Sequence, residues 1–354
     1  MWPLVIKSLP ALYGAGLVLF VIRILPPGEF GRYGISFAYI NLLAVLTRGL
    51  WAIPLITWAA KREERNVLGP VFWLSLGTAS LSAAGAFIIL PLLDVSGWLP
   101  VMSATMLVVL IPRELGYAIA QAHGRYRVSF ALEAVYFLGS LAAFFTLYLA
   151  GRLQTAEITL AVNLACAALS SLIAWLVFVD LRRPRISGDW SGVIRFGRWI
   201  GLMGLSEVYL QQGDALLLGA FASPAHIAPY LAARTLMRLF ALFSQAINFI
   251  VLPVSSRLAA AGELGKLRAR LRTTIQALLL ALIPLNVVLW LASPYLFPAI
   301  LGAKYSSAIP FFRILLISTF LEPVYSILGN AVSGIGRPNG WQKHCRQLSC
   351  LTWL

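Results

Sequence analysis

Five arginines, Arg48, Arg113, Arg234, Arg238 and Arg313, lie inside stretches that are otherwise apolar enough for hydrocarbon, together with Glu114, Glu133, Glu207, Asp214 and Glu322. A charge at bilayer depth is costly, so such groups face a polar cavity or a partner. Arginine suits anion binding there, because its planar fork grips phosphate or carboxylate oxygens bidentately and stays charged when buried. Spacing sorts these residues into stripes. Asn41 and Arg48 are seven apart on one apolar stretch, with Arg48 near its middle. Arg234, Arg238, Gln245 and Asn248 follow at steps of four, seven and three, near one helical face. Glu207, Gln211 and Asp214 share a face, as do Glu322, Ser326 and Asn330, and Arg113 or Glu114 lines up with Tyr117 and Gln121.

Each stripe has a structural reading beside the functional one. Counted from the hairpin tip at 223–225, Asp214 and Arg234 sit at similar depth, and so do Glu207 and Arg238. These pairs are readable equally as substrate contacts or as ion pairs fastening two helices. Arg48 has no carboxylate at matching depth on its sequence neighbours and is the strongest candidate for an anion. Arg313 and Glu133 lie within about two turns of span ends, where long side chains snorkel. The candidate cavity residues are therefore Arg48, Arg234, Arg238, Asn41 and Gln245. The expected charge partners are Glu207, Asp214, Arg113, Glu114 and Glu322. No catalytic constellation is present, and Cys166, Cys345, Cys350 and the three histidines match no metal-ligand spacing.

The elements that must position these groups are membrane helices. Of 354 residues, 60% are hydrophobic and 12% charged, and mean hydropathy is +0.82. A bilayer core needs about 20 apolar helical residues per crossing. Ten stretches meet that length, at 4–25, 33–60, 67–92, 99–121, 126–150, 157–180, 195–221, 226–253, 274–301 and 307–334. The fold class is all-α, a polytopic helical bundle. The net charge of +15 follows topology rather than nucleic acid. With the N-terminus cytoplasmic, nineteen of the 28 basic residues fall in inner loops, and only Arg23, Arg32, Arg152 and Lys304 in outer ones. In residues 262–272, Leu264, Leu267 and Leu271 share a face apart from Lys266, Arg268, Arg270 and Arg272, as in a helix lying on the inner leaflet.

The chain repeats itself. Phe30-Gly31-Arg32-Tyr33 opens a helix that reaches Pro54, and Ile227-Ala228-Pro229-Tyr230 opens one that reaches Pro253, with tyrosine-to-proline spacings of 21 and 23 residues. The expected organisation is a six-helix lobe at 1–180, a cytoplasmic linker at 181–194, an incomplete four-helix lobe at 195–338, and a non-spanning tail at 339–354. Parallel repeats of this kind are one transporter plan. The tail is neither apolar nor periodic enough to span. A product cut short or shifted in frame, and a naturally short variant, both account for it.

Several motifs carry a resemblance. Arg23-Ile24-Leu25-Pro26-Pro27-Gly28-Glu29-Phe30-Gly31-Arg32-Tyr33, then Gly49 through Pro54, Phe196-Gly197 and Gln212-Gly213-Asp214 follow in order. So do Tyr230-Leu231-Ala232-Ala233-Arg234, Leu252-Pro253 and Gly302-Ala303-Lys304-Tyr305. Over about residues 4–338 the chain resembles bacterial polysaccharide (O-antigen type) flippases, whose superfamily also holds multidrug extruders. The resemblance implies two pseudo-symmetric lobes around a cavity in the inner (plasma) membrane. It implies export of a polyprenyl-diphosphate-linked oligosaccharide to the outer leaflet for cell-surface polysaccharide or lipopolysaccharide biosynthesis. The chain departs from the family pattern by ending before the last two core helices. Implied partners are the lipid-linked glycan, membrane lipids, and a polysaccharide polymerase or glycosyltransferases; nucleic acid is not among them. No cofactor is implied, and no Gly-x-x-x-x-Gly-Lys loop for ATP occurs. The competing readings are a cation or drug antiporter, with Asp214 or Glu207 as the exchanging carboxylate, and a membrane glycan polymerase or ligase. The latter needs a large polar outer loop, and the outer loops here are short.

Overall fold

The computed structural model of the protein describes residues 9–10, 13–14, 16–60, 64–178, 181, 184, 188–195, 197–198, 201, 212–237, 258, 263–320, 324 and 327–328. Among these no strand occurs, and the fold is all-α as expected. The principal helices are α1 (Pro27–Thr47), α2 (Ile53–Ala60), α3 (Glu64–Leu92), α4 (Leu99–Ala122), α5 (Tyr126–Leu149), α6 (Ala156–Val177), α7 (Asp214–Phe221), α8 (Leu264–Leu301) and α9 (Ala308–Leu315). Six described helical spans are long and apolar enough to cross a membrane: Pro27–Ile56, Val67–Leu92, Leu99–Ala122, Tyr126–Leu149, Ala156–Val177 and Gly265–Leu301. The expected spans at 4–25, 195–221, 226–253 and 307–334 extend partly outside the described residues. The chain divides into two compact units, Met1–Ala232 with Ile300–Tyr305, and Ala233–Ala299 with Ser306–Leu354.

In the first unit α4 is the central element, with 61% of its apolar window buried against 22–39% for the other spans there. In lipid the hydrophobic effect does not draw helices together, so close approach and hydrogen bonds between helices do that work. Gly116 of α4 lets α6 come near: a Cβ there meets Ala174 at 2.8 Å and Phe178 at 3.2 Å. Two adjacent α6 serines then stitch both neighbours. Ser170 Oγ donates to the Leu132 carbonyl of α5 at 2.8 Å, and Ser171 Oγ to the Val109 carbonyl of α4 at 2.5 Å. Trp51, Leu55, Val67, Leu115 and Phe178 form a buried cluster that takes in Leu181 and Val193, from near the two ends of residues 181–194.

Helix α1 starts six residues before the expected span, because Pro26 and Pro27 occupy its first positions, where a missing N–H costs nothing. Its first turn is clamped by charge. Glu29 bonds Arg32 at 3.0 Å and accepts the Ala156 N–H at 2.8 Å, while Arg32 donates to the Ser96 carbonyl at 2.8 Å. Arg32 thus ties the first turn of α1 to the loop between α3 and α4. At the same end Lys304 donates to the Leu25 carbonyl at 2.6 Å, and burial pushes its pKa down. Gly31 leaves no room for a Cβ against the Pro224 carbonyl, so α1 and the turn after α7 are seated backbone to backbone.

Helix α8, which belongs to the second unit up to Ala299, runs unbroken from Leu264 to Leu301. Residues 264–272, expected as a separate surface helix, continue directly into the span. Lys266, Arg268, Arg270 and Arg272 are exposed and Leu267 is buried, so the amphipathic pattern itself holds. Pro294 cannot bond the Trp290 carbonyl four residues back. Ser293 Oγ fills that vacancy at 2.8 Å, with Arg313 of α9 at 3.4 Å. Arg313 also stacks 4.1 Å over the Trp290 ring.

Close packing at Gly116 generates a prediction. Gly116→Leu drives four carbons into Ala174 and Phe178 and destabilises the protein by about 1–3 kcal/mol, the usual cost of overpacking. A lowered thermal midpoint of the detergent-solubilised protein checks this; Gly139→Ala, where a Cβ meets only Cys166 Sγ at 3.4 Å, leaves it nearly unchanged.

Candidate functional site: a charged cavity in the first unit

Between α1 and α2 the chain widens into a π-helical turn, Arg48–Ala52. Pro54 contributes, since it cannot bond the Leu50 carbonyl. Gly197 abuts that carbonyl so closely that a Cβ cannot fit, and Gly201, four residues on, meets the Leu50 side chain. This small-x-x-x-small spacing is a membrane packing signal. Wide turns of this type recur at functional sites. Here the turn begins with Arg48.

Arg48 reaches α4. Its Nε lies 3.6 Å from Glu114 Oε2, and its guanidinium stacks 5.3 Å over the Tyr117 ring. The other oxygen of Glu114, Oε1, accepts from Arg113 Nη1 at 2.5 Å. Arg113 Nη2 donates to Glu133 Oε2 on α5 at 2.7 Å, and Arg113 also stacks over Tyr136 at 4.6 Å. Two cations and two anions form one chain of contacts, Arg48–Glu114–Arg113–Glu133. Exposure falls along it from 35% for the Arg48 side chain to 7% for Arg113. Beyond Tyr136 a second polar cluster follows. The Tyr13 ring lies 6.5 Å from that of Tyr136, Tyr13 OH donates to Asn163 Oδ1 at 2.7 Å, and Asn163 Nδ2 donates to Tyr33 OH at 3.1 Å.

A small, half-open cavity of about 20 Å³, room for about one water molecule, lies against this chain. Its polar lining is Thr47, Arg48, Ser75 and Glu114; the rest is aliphatic, including Ala44, Leu107 and Leu110. Ser75 is 2% exposed, and its hydroxyl has no hydrogen-bond partner among the described residues. The lining combines an arginine, a carboxylate and two hydroxyls with an apolar wall.

Two expectations need correction. Arg48 does have a carboxylate at its depth, Glu114, because α1 packs against α4 rather than against its sequence neighbours alone. Glu133 does not snorkel; it is 8% exposed and paired with Arg113. The tight turn at Gly124, whose φ is +65°, makes α4 and α5 an antiparallel hairpin. At 1.5 Å rise, Arg113 and Glu133 then lie about 10–14 Å from it. That count, made across the 122–126 turn, is the signal that identifies the pair. The same count around 222–224 matches Asp214 with Tyr230, and Tyr230 OH does donate to Asp214 Oδ2. Asn41 turns back to the Phe37 carbonyl at 2.7 Å, one turn before the cavity lining begins. Arg234 lies half-buried within helical residues 224–237. Arg238, Gln245, Glu207 and Glu322 fall outside the described residues.

A family described as "Polysaccharide biosynthesis protein" matches residues 20–310, most of the chain. The chain belongs to this family. Among curated proteins no sequence matches it significantly. In fold, this polysaccharide biosynthesis protein is similar to a multidrug resistance MATE family transporter of the MOP superfamily in its inward-facing conformation. That likeness has 16% identity and a TM-score of 0.72, and covers 94% of this chain and 82% of that one. It is also similar to MATE in complex with MaD3S, at 16% identity and a TM-score of 0.55, covering 95% and 81%. A third likeness, at 15% identity and 0.55, is to MATE in the bent conformation, covering 95% and 80%. The family member described here is therefore a multi-pass membrane protein with the MATE-type fold.

The buried Arg113–Glu133 link yields a prediction. Glu133→Ala leaves an arginine short of one anion in a low-dielectric site and destabilises by about 3–5 kcal/mol. Replacing both partners, Arg113→Met with Glu133→Leu, restores much of the loss. Thermal melts of the three proteins in one detergent decide it; equal melting of the single variant and the wild type is the contrary result.

Proposed function

We propose that this protein is a flippase that carries a polyprenyl-diphosphate-linked oligosaccharide from the inner to the outer leaflet by alternating access, for cell-surface polysaccharide such as O-antigen. The observation that carries the reading is Arg48, one-third exposed on a cavity wall and held to Glu114 only at 3.6 Å. The difficulty in moving such a lipid lies in its head. Sugar hydroxyls and a diphosphate stripped of water need replacement hydrogen bonds, and an arginine fork supplies them to phosphate oxygens. Family membership and the transporter fold support the same direction. The prenyl tail stays in lipid, and no covalent step is required, so the protein acts as a transporter rather than an enzyme. Arg234, Arg238, Asn41 and Gln245 are the further candidate substrate contacts in this proposal.

The protein sits in the inner (plasma) membrane with its N-terminus cytoplasmic, an orientation supported by the inner-loop excess of lysine and arginine. With the outside positive, each negative charge moved outward gains about 2.3 kcal/mol per 100 mV. Export of cationic drugs is the second reading, supported by the multidrug transporter among the structural likenesses. Against it, Glu114 and Glu133 each already hold an arginine.

Arg48→Ala abolishes export of lipid-linked glycan, scored by surface polysaccharide in cells that insert the variant at normal levels, while Arg48→Lys retains part of it. Full export by Arg48→Ala, or uptake of a fluorescent cation that depends on Glu114, overturns the flippase reading.

A further inference from the structure

Glu114 serves two arginines unequally. Its Oε1 is hydrogen-bonded to Arg113 at 2.5 Å, whereas its Oε2 stands 3.6 Å from Arg48, beyond hydrogen-bond length. Arg113 is fixed by a second carboxylate, Glu133, and by stacking on Tyr136 and Phe137. Arg48 faces the cavity with Tyr117 stacked on it. The Ser75 hydroxyl, buried and without a partner among the described residues, lines the same cavity.

This asymmetry describes a carboxylate that can release one arginine without losing its own compensation. We infer that Glu114 is an internal stand-in for the phosphate of the transported lipid: it neutralises Arg48 when the cavity is empty and yields Arg48 to a diphosphate when the cavity is loaded. The inference rests on the flippase reading above and adds to it the residue that sets release. A diphosphate brings more negative charge than one carboxylate and matches the guanidinium fork in two hydrogen bonds, and Ser75 Oγ offers a third donor. Displaced from Arg48, Glu114 remains on Arg113, so no anion is left bare. On the return, Glu114 takes Arg48 back, which spares the empty protein an uncompensated cation at membrane depth. Glu114 therefore trades affinity for turnover. Removing its charge leaves Arg48 committed to the substrate anion.

The test uses the full chain in nanodiscs, with sugar-free polyprenyl diphosphate as probe and neutral polyprenol as control. Glu114→Gln is expected to bind the diphosphate about tenfold more tightly, as when one competing charge is lost. Its transport shows a lower KM and a lower maximal rate. Glu114→Asp, which keeps the charge beside Arg113 but draws it away from Arg48, falls between wild type and Glu114→Gln in both. The graded order remains readable from Glu114→Asp if Glu114→Gln melts prematurely. Unchanged or weaker diphosphate binding in a variant that melts like wild type overturns the stand-in role alone. Wild-type protein that binds no polyprenyl diphosphate overturns the flippase reading and this inference together. Tighter binding of neutral polyprenol by Glu114→Gln also counts against it, because the gain then does not come from the anion.

Discussion

Charge that enters a low-dielectric interior must be compensated there, and this constraint organises the first unit. Arg113 cannot stay 7% exposed without anions, and it has two, one on its own helix and one on α5. Glu114 in turn ties α4 to the widened turn of α1 through Arg48. Three helices are therefore joined by one electrostatic chain whose groups sum to zero charge. Such a chain has a rigid end and a compliant end. Charge compensation is tighter around Arg113 than around Arg48, so the loosely held end of the chain lies where the cavity lies.

The surrounding packing serves that arrangement. A charged chain spanning three helices requires them to stay close while lipid, as apolar as their own side chains, gives no incentive to associate. Small residues and hydroxyls supply it. Gly116 admits α6, Ser170 and Ser171 bond across to two neighbours, and Trp51 Nε1 donates to Thr78 Oγ1 at 3.1 Å. Proline's missing donor is used in the same way. Pro54 frees the Leu50 carbonyl beside which Gly197 packs, and Pro294 frees the Trp290 carbonyl that Ser293 and Arg313 occupy. At Pro294 the freed carbonyl is taken up by Ser293 and Arg313, so the missing backbone bond is replaced there.

Span positions were legible because hydropathy and turn residues both report them. The expected 67–92 and 99–121 match Val67–Leu92 and Leu99–Ala122, and 126–150 matches Tyr126–Leu149. The start of α1 was less so, since Pro26-Pro27 reads as a loop unless it is taken as a helix start. Arg48 stood out from its depth and charge. Its partner did not, because depth counting works across a hairpin and α1 and α4 are not hairpin neighbours. Glu133 and Tyr230, which are on hairpins with Arg113 and Asp214, were within reach of that count. Ser75 carries no sequence signal at all; a serine in an apolar helix more often bonds its own backbone.

The choice of arginine at 48 and 113 follows from the two tasks. A lysine at 113 offers donors from a single atom, and the fork's two separate nitrogens are what let Nη1 hold Glu114 while Nη2 holds Glu133. At 48 the flat cation lies against Tyr117 and keeps an edge open to the cavity. Stacking supplies attraction that does not consume hydrogen-bond donors. The same side chain thus does different things at two depths: at 113 both Nη groups are spent on carboxylates of the protein and the buried Nε finds no partner among the described residues, and at 48 the guanidinium lines the cavity. Identity of residue type does not separate a fastening arginine from a binding one here; the number of carboxylates within reach does.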